Sequence, residues 1–213
     1  PPVVINAPTK HLPFTLSPDT TILTKPLNPD GTVDYLQALN QKYGAGVKPR
    51  ENGFVVWESV APTEYWKNPA ARPMAWMTGY IKDQNTAPKT TGSFQLLRDY
   101  LQQMKASDAQ IEKLEDWEGS TELWSATDQP LLAKYLQTQG PALDRVAAAT
   151  KKQKWWPPLV ATDGRLLETV HPTWFPALRE QVNSLTARAM LEARSGDMNA
   201  YTQDVLAVER LAL

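Results

Sequence analysis

Apolar residues recur at helical spacing along much of the chain, most clearly at its C-terminal end. Leu178, Val182, Leu185 and Ala189 share one face of a run that ends at Gly196. Met198, Tyr201, Val205, Val208 and Ala212 form a second stripe after Asp197, whose short side-chain oxygen suits a helix cap. Ser195-Gly196-Asp197 therefore predicts the turn of a helical hairpin. Upstream, Pro130 opens a run bearing Leu131, Leu132, Tyr135 and Leu136. Gly140-Pro141 is expected to stop it and start another helix with Leu143, Val146 and Ala147. Ser93 is placed to cap the face Leu97, Tyr100, Leu101 and Met104. Ser107 with Gln110 forms a capping-box pattern before Ile111 and Leu114.

The N-terminal half is less regular. Residues 1–23 carry five prolines before residue 20 and read as an extended arm. "NPDGTVDYLQALNQKYGAG" (28–46) has the polar density of a calcium loop, but that register fails. With the required glycine at Gly31, Pro26 falls where the first carboxylate belongs and Gln37 where the bidentate Glu belongs. The stretch predicts a helix instead, with Asp30 or Thr32 as cap, Val33, Leu36, Leu39 and Tyr43 on one face, and Gly44 as the left-handed stop. Pro49 precedes a second run with Phe54, Val55 and Trp57, expected to pair with the first as a hairpin. Residues 63–92 show no steady period, 83–93 read as a loop and a place of subdivision, 155–160 break helicity, and 162–166 carry a turn signature. The expectation is a mainly α protein of antiparallel helical hairpins: an arm at 1–23 and a single helical domain over 24–213.

Composition narrows function by removal. Hydrophobic content of 42%, charged content of 21% and a net charge of −1 describe a folded chain with no global electrostatic pull toward nucleic acid. The absence of cysteine removes disulfides, thiol nucleophiles and thiolate metal sites. His11 and His171 alone are too few for an imidazole-built zinc site, and each sits in a proline-rich context unlike that of a general base. No glycine-rich phosphate loop or nucleophile motif is present, so neither catalytic residues nor a cofactor are expected. No apolar run is long enough to span a membrane. The chain opens without Met and closes inside a predicted helix, so both ends are expected to be truncated.

Two stretches remain as candidate contacts. "EKLEDWEGSTELW" (112–124) sets Glu115, Asp116 and Glu118 beside Trp117 and Trp124, the residue types of a sugar site, in which carboxylates do acid-base work and indoles stack on rings. The same spacing also describes a solvated acidic helix face with its tryptophans in the core. "KKQKWWPP" sets Lys151, Lys152 and Lys154 before Trp155 and Trp156. These groups can grip a polyanion, and lysines at a helix C-terminus also complement the helix dipole.

Taken together, "TKPLNPDGTVDYLQALNQKYGAGVKPRENGFVVW" (24–57), "QGPALDRVAAATKKQKWWPPLV" (139–160) and "LTARAMLEARSGDMNAYTQDVLAVERLAL" (185–213) resemble a protein family abundant in planctomycete bacteria. Its hallmark D-G-x-V-D-Y-x-x-A-L-N is present as Asp30 through Asn40. Asn52-Gly53 departs from the more helix-favouring pair expected there. The last hairpin resembles a tetratricopeptide hairpin, with Tyr201 where that repeat prefers a small residue. The planctomycete resemblance implies no activity and transfers no catalytic residue. It implies an exported or membrane-anchored cell-envelope protein, held to a membrane only through an anchor preceding Pro1, with a cytoplasmic location still open. The leading functional expectation is a non-enzymatic scaffold or protein-interaction module that binds a protein partner or itself and no nucleic acid. The alternative is a carbohydrate-binding or carbohydrate-active protein using 112–124.

Overall fold

The computed structural model describes residues 22–62, 94–157 and 175–212. The arm through residue 21, Ser93, the irregular stretch 63–92 and the turn at 162–166 lie outside the described residues. The chain is mainly helical. Among the described residues there are seven α-helices, no strand, and two isolated bridges. They are α1 (Tyr35–Gly44), α2 (Gly53–Glu58), α3 (Leu97–Gln103), α4 (Asp108–Glu118), α5 (Pro130–Ala149), α6 (Phe175–Ser195) and α7 (Met198–Ala212), with a 3-10 turn at Pro49–Glu51. The described residues fall into two compact units, 22–46 and the remainder, so α1 and α2 belong to different units.

In the first unit, the opening turn is closed by the chain itself. Asp30 Oδ1 accepts from the Thr32 N–H (3.0 Å) and hydroxyl (2.6 Å), Leu27 bridges Val33, and Gly31 takes φ 87°. The helix therefore starts later than its polar lead-in suggests. Asp34, rather than Asp30 or Thr32, is the cap, accepting from the Gln37 N–H at 2.9 Å. Val33 is buried ahead of the helix, Tyr43 is exposed, and the left-handed residue is Gly46 (φ 73°), not Gly44.

In the second unit, α5 is the central helix. Leu132, Tyr135, Leu136, Leu143 and Val146 give it a buried stripe against α2, α3 and α6. It runs unbroken through Gly140-Pro141. Gly140 has no Cβ to clash with the proline ring, and the carbonyl left without a donor, that of Gln137, belongs to an exposed face that water can serve. Phe54 and Trp57 carry α2 into the core, with ring centroids 5.1 Å apart, and the Trp57 indole N–H donates to buried Gln181 of α6. Burying two such side chains contributes roughly 2–3 kcal/mol each, enough to fix a six-residue helix that could not stand alone.

The termini follow their local chemistry. Ser107 and Gln110 form the reciprocal capping box of α4. The N-cap of α3 is Leu96, which makes no side-chain cap bond, and exposed Met104 is its C-cap rather than part of the buried face. One turn type closes both α3 and α6: the Ala106 N–H returns to Leu101 O and the Asp197 N–H to Glu192 O, each at 3.0 Å. The left-handed position is Gly196 in one and Lys105 (φ 58°) in the other. Asp197 then caps α7 by accepting from the Ala200 N–H, and α7 folds back along α6.

Candidate functional site

The α6–α7 hairpin and the loop 119–124 enclose an open cavity of about 730 Å³. Its floor is Ala189 and Ala193 of α6, one turn apart and too small to fill the space. Met190 and the α7 residues Met198, Tyr201, Val205 and Val208 form the walls, Leu123 the opposite lip. Leu123 is 57% exposed and Met198 54%. The polar lining is sparse: Thr121, Glu209 and Thr186, whose hydroxyl donates to Val182 O at 3.0 Å. A groove of this size lined chiefly by apolar atoms suits an apolar guest. Glu209 is the one ionisable carboxylate in its lining, which gives no pair for acid-base work.

The lip is held by Trp124. Its ring is 1% exposed, and its indole N–H donates to Ala187 O of α6 at 3.0 Å, so the neighbouring Leu123 is fixed over the groove. Behind it, Asp128 Oδ2 accepts from the backbone N–H and hydroxyl of Ser125 (2.8 and 2.7 Å), bonds that hold the Asp128 carboxyl below its usual range. Beneath the hairpin, Arg188 of α6 forms a two-pronged bond to buried Asp204 of α7 (2.6 and 2.8 Å) and reaches Asp144 of α5 at 2.8 Å. Burial opposes its charge, yet the Asp204 bond holds the guanidinium more basic than usual. Glu192, facing the same cluster, is pushed up to about 7, first by burial and then by the Asp204 charge.

The acidic and aromatic stretch is dispersed. Glu115 pairs with Arg98 through two bonds (2.9 and 2.5 Å), Asp116 is exposed, and Trp117 packs half-buried against the core. Glu118 is 2% exposed and meets the Ser184 hydroxyl. Ser184 lies 3.3 Å from the Tyr135 hydroxyl, which donates to Gln95 O at 2.9 Å. Burial pushes the Glu118 carboxyl up to about 8 and holds the Tyr135 phenol above its usual value. The Ser184 hydroxyl, which donates to the Glu118 carboxyl, only partly offsets the effect of burial. These groups join α4, α5 and α6 inside the core, and Trp124 offers no ring face to a sugar.

Trp155 is half-buried, with its ring edge-on to Phe54 at 6.2 Å. Trp156 is half-buried, and its backbone is clasped by Asn52: Nδ2 donates to Trp156 O at 2.9 Å while Oδ1 accepts from its N–H at 3.0 Å. None of the predicted contact residues lines the groove. The sequence did carry a signal for it, because Met198, Tyr201, Val205 and Val208 are the stripe read there as a helix face.

The fold and site thus define a mainly helical protein whose last two helices carry an open apolar groove. No family model, curated protein or solved structure matches the chain.

Proposed function

We propose that this chain is a non-enzymatic protein-interaction module that receives an apolar helical segment of a partner protein in the α6–α7 groove. One observation carries the reading: Met198, Tyr201, Val205 and Val208 of α7 line an open groove and are at most partly buried, with Val208 also touching the core, while the residues α7 buries fully are Ala207 and Asp204. A helix presenting apolar groups at i, i+3 or i+4 and i+7 matches such a groove. The hairpin itself, two helices about a glycine turn, supports reading α6–α7 as tetratricopeptide-like. The proposed location, the cell envelope, rests on the resemblance of 24–57, 139–160 and 185–213 to the planctomycete family. The carbohydrate alternative has less support, because Trp124 and Glu118 are sealed in the core.

Selection from a displayed library of random helical peptides tests the groove. The expected result is an enriched apolar consensus at helical spacing that binds the purified protein and loses at least tenfold in affinity with Leu123→Glu plus Val205→Glu. Absence of a consensus, or affinity indifferent to those substitutions, overturns the reading. A dimer in sedimentation that the same substitutions dissociate makes the occupant a second copy rather than a foreign partner. Fractionation of planctomycete cells expressing the protein, with recovery in the cytosol, removes the envelope assignment.

A further inference from the structure

A second surface lies apart from the groove, at the C-terminal end of α5. The Lys154 N–H donates to Glu51 O at 3.0 Å, and the Gly53 N–H donates to Lys154 O at 2.8 Å. With the two Asn52–Trp156 bonds, this clasp joins chain segments about a hundred residues apart. It brings Lys48 and Arg50 to the same end of the unit as Lys151, Lys152 and Lys154. Lys48 and Arg50 are 62% and 75% exposed, and the three lysines are exposed as well. Within 47–52 and 150–157 the only carboxylate is Glu51, 3.9 Å from Lys48 and 3.7 Å from Arg50. The local excess is four positive charges, on a chain whose net charge is −1. Charge this concentrated sets a local field that the net value conceals.

We infer that this end of the molecule docks on an anionic lipid surface. Four of the five cations are lysines, flexible point charges that suit diffuse headgroup charge better than the fixed fork of arginine. Trp156 is half-buried beside them, one of the amphipathic side chains that settle at headgroup level. A single-stranded nucleic acid would need open ring faces for its bases. The Trp155 ring is instead packed against Phe54 and over Gly53, whose added Cβ would lie 2.7 Å from Trp155 Cε3.

The test is co-sedimentation of the whole chain with phosphatidylcholine vesicles, with and without about a third phosphatidylglycerol. Partition onto the anionic vesicles should exceed that onto neutral ones at least tenfold and weaken as salt shortens the screening length. Lys151→Gln, Lys152→Gln and Lys154→Gln together should reduce it on the order of a hundredfold, with the helical circular-dichroism signal intact. Leu123→Glu, in the groove, should leave it unchanged. Equal partition onto both vesicle types, or a triple variant that still binds, overturns the proposal. Binding to oligothymidylate without binding to vesicles also overturns it, in favour of a nucleic-acid surface.

Discussion

Gly53→Ala is the sharpest test of the packing, because two effects of opposite sign meet there. Gly53 is the first residue of α2, and in a helix alanine is worth roughly 0.5–1 kcal/mol more than glycine. Its neighbours oppose that gain. A Cβ built on Gly53 would lie 2.3 Å from the backbone oxygen of Ala149 and 2.7 Å from Trp155 Cε3. The first neighbour is the main chain of α5 and cannot rotate away. Relief requires α2 to lift from α5, which strains or breaks the clasp at Lys154 and Trp156. Overpacking of this kind costs about 1–3 kcal/mol. The four clasp bonds, at roughly 1 kcal/mol each, bound the loss if the clasp opens fully.

The clash wins, and a net destabilisation of about 1–2 kcal/mol is expected, rising to about 3 kcal/mol if the clasp opens fully. Urea unfolding followed by circular dichroism and tryptophan emission measures it. Gly119→Ala is the control, since its Cβ would meet nothing closer than Asp116 O at 3.9 Å. That variant should be neutral or gain a few tenths of a kcal/mol. If Gly53→Ala proves as stable as the parent, the close seating of α2 on α5 and Trp155 is wrong.

Three further substitutions probe the buried polar groups. Glu118 ionises near 4.5 when unfolded and near 8 when folded, so between those values the folded form keeps a proton the unfolded form has released. Stability should therefore fall as pH rises from about 4.5 to 8, by up to roughly 1.4 kcal/mol per pH unit from this group. Glu118→Gln should flatten the slope, leaving the smaller contribution of the same sign from Glu192; urea midpoints at several pH values decide, and an unchanged slope sinks the assignment. Arg188→Met should cost about 3–5 kcal/mol by stranding Asp204, whereas Arg188→Met with Asp204→Leu should recover most of it. A double variant no better than the single one would show that the pair is not what couples α6 to α7.

Legibility in the sequence followed the range of the interactions. The capping box at Ser107, the hairpin turn at Gly196-Asp197 and the apolar stripe of α5 are set within a few residues, and spacing alone predicts them. The misreadings need distant partners or local exceptions. Pro141 reads as a stop unless Gly140 and the exposed Gln137 carbonyl are considered together. Asn52-Gly53 reads as a weak place in α2 until Trp156 and Ala149 are set beside it. There the asparagine clasps a strand of chain and the glycine is the residue the space admits. Acid beside tryptophan in 112–124 marks no shared surface, because helical spacing sends Glu118 into the core while Asp116 stays in solvent.

The orientation of α7 shows why the groove was not legible. Successive helix residues are separated by about 100°, so Asp204 and Val205 lie on adjacent faces. Hydrophobicity alone would turn the larger stripe, Tyr201, Val205 and Val208, inward. Asp204 and Ala207 are the residues fully buried instead, while Val208 only partly packs against the core and Tyr201 and Val205 stay half-exposed along the groove. A lone buried aspartate would forbid that choice, and Arg188 removes the objection with two short bonds, itself held by Asp144 of α5. Rolling α7 by one residue to bury the stripe would separate that pair and leave both charges poorly matched. The ion pair thus acts as a rotational register for the last helix, and the open apolar face follows from it. A spacing argument sees the stripe, but only the Arg188 contact decides which way it faces.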